Sequence, residues 1–136
     1  MYKATKGIYF CYGHRLLNYG GKCKNLHGHN AKAEIELESE TLDHRQMVSD
    51  FEDIERVVTS WIDENLDHRM LLSKDDPILP VLQERGVLCY VMDGNPTAEA
   101  LAKVIFDYAA AQGFPVTRVS VWETESSYAT YEGSHK

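Results

Sequence analysis

The chain has 136 residues and a formal net charge of −7, from 14 Lys and Arg against 21 Asp and Glu. A hydrophobic content of 43% suits one globular domain over 1–136 with a real core. The acidic balance argues against a nucleic-acid partner, and no apolar run nears the roughly 20 residues that span a bilayer. Met1 to Lys6 lacks the apolar segment of a signal peptide. Cys11, Cys23 and Cys89, odd in number and widely spaced, suit free thiols in a reducing compartment. A cytoplasmic protein is therefore expected.

In chain order, residues 2–13 predict a strand rich in aromatics (Tyr2, Tyr9, Phe10, Tyr12) that ends at His14. Asn18-Tyr19-Gly20-Gly21 marks a loop over 15–26. Its length exceeds a tight turn, and long loops in compact domains often carry function. Residues 27–38 predict a second strand. Ala31, Ala33, Ile35 and Leu37 share the parity of His27 and His29, while Lys32, Glu34, Glu36 and Glu38 take the other face.

His27 and His29 therefore present two imidazoles side by side at one end of an apolar row. Gly28 between them adds no bulk to the opposite face. Neutral imidazole is a zinc ligand, and catalytic zinc takes three protein ligands and keeps a fourth position open. His14 is the best third ligand, because it ends another strand. Cys23 stands close enough in sequence to be a fourth, which would instead close the site as a structural zinc in an interaction module. Residues 1–33 hold Lys3, Lys6, Arg15, Lys22, Lys24 and Lys32 and no acid, against 8 bases and 21 acids in the rest. That asymmetry suits an anionic ligand drawn by local positive potential.

Further on, Asp50 predicts the cap of a helix to about Asn65, with Phe51, Ile54, Val58, Trp61 and Ile62 on one face. Leu66-Asp67-His68-Arg69 follows it, and an adjacent Asp and His can orient a proton-transfer group. Residues 76–85 predict a short helix interrupted at Pro80. Residues 87–92 predict a strand or buried connection, with Cys89 in the core. Asn95-Pro96 predicts the start of a helix to about Gln112, with Asn95 as cap and Leu101, Val104, Ile105 and Tyr108 on its buried face. Strands follow over 116–125 and 127–132. Glu123 shares a face with Val119 and Val121, and a carboxylate that continues an apolar row needs partners. The expectation is a pocket floor that binds paired N–H donors of a ligand. The class predicted is α+β: a four-stranded antiparallel sheet, ββααββ, with two helices on one face. Its two unpaired edges favour joining between subunits.

Taken together, several motifs carry a resemblance over nearly the whole chain. They are Phe10 to Leu16, Cys23-x-x-x-His27-Gly28-His29-Asn30, Asp50-Phe51, Leu66-Asp67-His68, Asn95-Pro96-Thr97-Ala98-Glu99 and Trp122-Glu123-Thr124. In this order they resemble the 6-pyruvoyl-tetrahydropterin synthase and 6-carboxy-tetrahydropterin synthase family. The resemblance implies a tunnelling-type fold, with barrels formed by a homo-oligomer, trimer or hexamer, and sites at subunit boundaries. It implies Zn2+ on His14, His27 and His29, Cys23 as proton-abstracting base, and Asp67 and His68 as relay partners. Glu123 would anchor the pterin, assisted by Thr97, Ala98 and Glu99. The implied substrate is 7,8-dihydroneopterin triphosphate, a small molecule whose phosphates suit the basic segment. Three residues between Cys23 and His27 resemble the carboxy-forming branch, which serves queuosine synthesis; the pyruvoyl-forming reaction is the alternative. The sequence departs from the family pattern at Cys11-Tyr12-Gly13, at Ala31 and in the length of 74–94.

Overall fold

The computed structural model describes residues 1–133. Two long strands, β1 (Tyr2–His14) and β2 (His27–Ser39), pair antiparallel without a break, from Tyr2 opposite Ser39 to His14 opposite His27. β5 (Val116–Trp122) adds antiparallel to β2, and β6 (Tyr128–Glu132) to β5. The other side of β1 differs from expectation. β3 (Arg69–Ser73) and β4 (Cys89–Met92) add there in parallel. The sheet thus has six strands, in the order β4-β3-β1-β2-β5-β6, and is mixed rather than four-stranded and antiparallel. β3 follows the preceding helix within a few residues, and its Leu71, Leu72 and Ser73 are all buried. A strand that buries consecutive residues shows no alternation, so it left no period-two signal.

Helical segments cover one face. α1 (Phe51–Ile54) and α2 (Ser60–Asn65) are joined by a π-helical turn, Glu55–Thr59. Asp50 caps α1, its carboxylate accepting from the Glu52 N–H at 2.9 Å. Ile54, Val58 and Ile62 are fully buried, while Phe51 is exposed. Trp61 is only partly buried and stacks on Tyr108 at 4.5 Å. α3 (Leu79–Glu84) is not interrupted by Pro80, which sits in its first turn, where no N–H is needed. α4 (Ala98–Ala111) is capped by Thr97, whose hydroxyl accepts from the Ala100 N–H at 3.1 Å. Asn95 is not the cap. Its side chain reaches across to the backbone of Leu17, accepting from N–H at 2.8 Å and donating to C=O at 2.9 Å.

The core lies between sheet and helices. Ile8, Phe10 and Tyr12 of β1, Ala33, Ile35 and Leu37 of β2, and Val119 and Val121 of β5 meet Ile54, Val58, Ile62, Leu101 and Ile105. Each fully buried Leu or Ile contributes about 1.5–3 kcal/mol. The opposite face is polar and open: Tyr9 is exposed, and Glu34 accepts from the Trp122 indole at 2.7 Å. Cys89 lies partly exposed on the edge strand β4, not in the core. No helix among the described residues is long and apolar enough to cross a membrane.

Candidate metal centre and active site

Because Ile8, Phe10 and Tyr12 face the core, the next residue of that parity, His14, faces the end of the core. It is buried, with 2% of its surface exposed. The register sets His27 opposite it and His29 opposite Tyr12. The three rings stand 4.5–5.0 Å apart between centroids, and one ligand nitrogen from each lies within 4.8 Å of the others. Tetrahedral zinc with Zn–N about 2.0–2.1 Å requires neighbouring nitrogens about 3.3 Å apart; His14 and His29 Nε2 are 3.1 Å apart.

The donor chemistry fits a cation. His14 Nδ1 donates to the carbonyl of Pro96 at 2.7 Å, and His27 Nδ1 to the carbonyl of Asn25 at 2.7 Å. Each bond fixes the proton on Nδ1 and leaves the Nε2 lone pair facing the cluster, the usual outer-shell arrangement of metal-ligating histidines. Burial pushes His14 down from its ordinary pKa, only partly offset by the Pro96 carbonyl, and so favours the neutral ring. His27 Nε2 is buried and has no hydrogen-bond partner among the described residues. A buried polar atom without a partner costs about 1–3 kcal/mol, and a cation would satisfy it.

Glu123 follows β5 directly, where its N–H donates to Ser127 C=O at 3.0 Å in the β5–β6 turn. Its carboxylate faces the core side, as parity predicts. Oε2 accepts from Tyr12 Oη at 3.1 Å and lies 3.7 Å from Nε2 of both His14 and His29. Burial, then the neighbouring Glu123 charge, pushes the Tyr12 phenol far up, so it remains a donor. Oε1 makes no hydrogen bond among the described residues and is available to a ligand.

Asp67 and His68 come together as predicted, but with a different cysteine. His68 Nδ1 donates to Asp67 Oδ2 at 2.8 Å, and its Nε2 lies 3.5 Å from Cys11 Sγ. Asp67 Oδ1 accepts from the Cys11 N–H at 2.9 Å, and the His68 N–H donates to Cys11 C=O at 2.7 Å. Burial opposes ionisation of Asp67, but these donors outweigh it and hold the carboxyl below its usual range. His68 has φ +59, a left-handed backbone costing on the order of 1–2 kcal/mol for a residue with a Cβ.

Cys23 lies in a 3-10 turn, Lys22–Lys24, within the loop between β1 and β2. Its thiol is not among the groups gathered at the three histidines. The closed site of Cys23 with His14, His27 and His29 expected as an alternative therefore does not form within one chain, and no hydrogen bond joins Cys23 to His68 among the described residues. Thr97, Ala98 and Glu99 open α4 immediately after Pro96; Ala98 is buried and Glu99 exposed. Of the basic segment, Lys3, Lys6, Arg15 and Lys32 are paired to acids, Arg15 bidentately to buried Asp76. Within that segment, Lys22 and Lys24 have no ion pair among the described residues. Sequence reasoning missed Tyr12, the two orienting carbonyls and Cys11. Most of the partners are far apart in sequence, 111 residues for Tyr12 and Glu123, 82 for Pro96 and His14 and 57 for Cys11 and His68, and no local pattern encodes such contacts; the Asn25 carbonyl lies only two residues from His27, but a main-chain oxygen leaves no residue-type signal.

A family model described as 6-pyruvoyl tetrahydropterin synthase matches residues 3–134. A 6-carboxy-5,6,7,8-tetrahydropterin synthase of Rickettsia conorii is 36% identical over 135 residues, covering 94% of this chain and 98% of its own. One of the same name from Aquifex aeolicus is 31% identical over 159 residues, covering 96% and 98%. Among solved structures, a protein of Wolinella succinogenes matches with a TM-score of 0.81 at 27% identity over 98% of each chain. The 6-pyruvoyl tetrahydropterin synthase of Caenorhabditis elegans matches with a TM-score of 0.73 at 23% identity, over 98% and 96%, a likeness of fold.

Proposed function

The chain belongs to the 6-pyruvoyl tetrahydropterin synthase family, and on that premise we propose that it is a zinc-dependent lyase. In this reading it converts 7,8-dihydroneopterin triphosphate to 6-carboxy-5,6,7,8-tetrahydropterin, releasing acetaldehyde and triphosphate, a step of queuosine synthesis. The observation that carries the reading is the convergence of His14, His27 and His29, with Nε2 of His14 and of His29 each 3.7 Å from the Glu123 carboxylate. The names of the Rickettsia and Aquifex relatives favour the carboxy-forming branch, as does the Cys23-x-x-x-His27 spacing.

His14, His27 and His29 would hold the zinc, which when bound supplies Lewis acidity toward the substrate's side-chain oxygens. Glu123 accepts the paired N–H donors of the pterin's amino-pyrimidinone edge, using free Oε1 and the second lone pair of Oε2. Tyr12 holds the carboxylate in place. The Thr97, Ala98 and Glu99 segment assists it, following directly on the Pro96 carbonyl that orients His14. Lys22 and Lys24, free of ion pairs, face the triphosphate. Cys23 abstracts the proton, with Asp67 and His68 as relay partners. Because Cys23 does not meet His68 within one chain, and the His68 side chain is 78% exposed, this relay closes across a subunit boundary of a homo-oligomer. The three free thiols suit a cytoplasmic setting.

The test is to incubate the zinc-loaded protein with 7,8-dihydroneopterin triphosphate and identify products by mass spectrometry. Stoichiometric acetaldehyde with the 6-carboxy product is expected. A 6-pyruvoyl product without acetaldehyde would assign the chain to the other branch, and absence of both products would overturn the reading.

A further inference from the structure

On the sheet face opposite the core, residues in register line up across four strands. Tyr9 of β1 stands beside Lys32 of β2, Lys32 beside Trp122 of β5, and Trp122 beside Tyr128 of β6. Their chain neighbours Ile8, Phe10, Ala33 and Val121 are in the core, so alternation turns this row away from it. Lys32 Nζ lies 5.9 Å from the centre of the Tyr9 ring and 5.6 Å from that of Trp122. Glu34 fixes the arrangement. One of its oxygens accepts from the Trp122 indole at 2.7 Å, and the other lies 3.6 Å from Lys32 Nζ. Tyr128 stacks on Trp122 at 4.1 Å. Cross-strand packing accounts for that pair, but it leaves the Tyr9 ring in water, with 78% of its surface exposed.

A cavity of about 370 Å³ opens at this row, walled by Tyr9, Asn30, Lys32, Trp122, Thr124 and Glu125. That volume suits one small ligand. None of the three clustered histidines, Glu123, Cys23 or the Asp67–His68 pair lines it, and Asn30 alone also borders the cavity at the histidines. The wall chemistry selects a planar, uncharged ring. The π faces of Tyr9 and Trp122 favour stacking with any heteroaromatic. The ammonium of Lys32 and the carboxylate of Glu125 balance, so no net charge on the ligand is called for. Lys32 donates and Glu125 accepts, and the complementary edge is a carbonyl beside an N–H. We propose that this cavity is a ligand site separate from the metal centre, for a heteroaromatic lactam of the purine type, a free base or nucleoside with an –NH–C(=O)– edge. The carbonyl accepts from Lys32, the N–H donates to Glu125, and the ring stacks on Tyr9. The site is independent of the pterin reading, since it lies on the other face of the sheet and uses none of the residues to which that reading gives a role.

The experiment is a titration of the native, zinc-loaded protein with inosine, followed by tryptophan fluorescence, because Trp122 walls the cavity. Inosine carries the lactam edge and lacks the 2-amino group, so it cannot offer Glu123 paired N–H donors. Saturable quenching at submillimolar inosine is expected. Adenosine, which has no lactam, should bind about tenfold more weakly, the worth of one charge-assisted hydrogen bond. Tyr9→Ala should weaken inosine about tenfold or more and leave bound zinc and the melting temperature unchanged, since the ring it removes is exposed. Tyr9→Phe, which keeps the ring, should retain the affinity, and Glu123→Gln should not alter it. Absence of saturable quenching at millimolar inosine would overturn the site. Affinity indifferent to Tyr9→Ala would overturn it too, as would affinity lost in Glu123→Gln, which would put the inosine in the pterin pocket. Equal affinity for adenosine would overturn the lactam assignment.

Discussion

Tyr12 and Glu123 make the residue-scale case. The phenol hydroxyl donates to Glu123, and the ring meets the edge of His14 at 5.2 Å, so one aromatic side chain positions both the carboxylate proposed to bind the pterin and a candidate zinc ligand. Glu123→Gln replaces an acceptor oxygen with an NH2 donor that faces the pterin's own donors. Hydrogen bonds to charged groups are worth about 1.5–3 kcal/mol, so pterin affinity should fall roughly one to two decades while bound zinc and folding stay. Calorimetric titration of the zinc-loaded variant checks this, and unchanged affinity would remove Glu123 from the binding role. The metal set makes its own prediction: His27→Ala should lower bound zinc toward zero, and Cys23→Ala should keep it, measured by metal analysis after dialysis. Loss of zinc from the Cys23 variant would place the cysteine in the coordination shell. Parity along a strand was enough to place His27, His29 and Glu123 on the core side from sequence. Cys11 at His68 was not legible, because strand alternation says which face a residue takes and nothing about which distant residue meets it there.

At the scale of elements, the β1–β2 loop is held by a buried ion pair. Asp76, between β3 and α3, has no exposed side-chain surface and accepts from Arg15 Nε at 2.8 Å and from the Ile78 N–H at 2.9 Å. Arg15 foremost holds the Asp76 carboxyl below its ordinary range of about 3.9. A depressed carboxyl contributes stability that is fully present above the unfolded pKa and is lost as pH falls through the folded one. Asp76→Asn should cost about 1.5–3 kcal/mol near pH 7, lowering the melting temperature by about 5–10 °C. The gap from wild type should close as pH falls below about 4. Scanning calorimetry from pH 7 to 3 tests both parts, and a gap independent of pH would mean packing rather than charge. The sequence holds no hint of this pair, since Arg15 reads as part of a basic patch for phosphates. It showed the two long strands, the helices and the last hairpin, all amphipathic. It hid β3, whose burial is continuous, and it misplaced the α4 cap. Asn95 and Thr97 are both good caps, and the choice turned on a tertiary demand: the orphan N–H and C=O of Leu17 drew Asn95 away.

For the whole molecule, the sheet ends in two strands, β4 and β6, each with one side unpaired among the described residues. Leu88 and Val91 near the first edge and Tyr128 at the second are exposed. Edge strands left open in this way template pairing with another chain, and closure of several copies into a ring is the symmetric solution. We expect a cyclic trimer or a pair of trimers in solution. Multi-angle light scattering at micromolar concentration should give a multiple of three times 15.5 kDa; a monomer mass would contradict both the assembly and the relay that depends on it.

The carbonyls of Asn25 and Pro96 that orient His27 and His14 belong to the main chain. Every amino acid carries the same oxygen, so alanine scanning would pass over both positions and report them as dispensable. What these positions hand to the histidines is the route of the polypeptide. Such a centre tolerates drift in the letters at 25 and 96 but not a change in spacing. One residue inserted between Asn25 and His27, or between Asn95 and Ala98, would swing a carbonyl away from its ring and release a proton position that no side chain could restore.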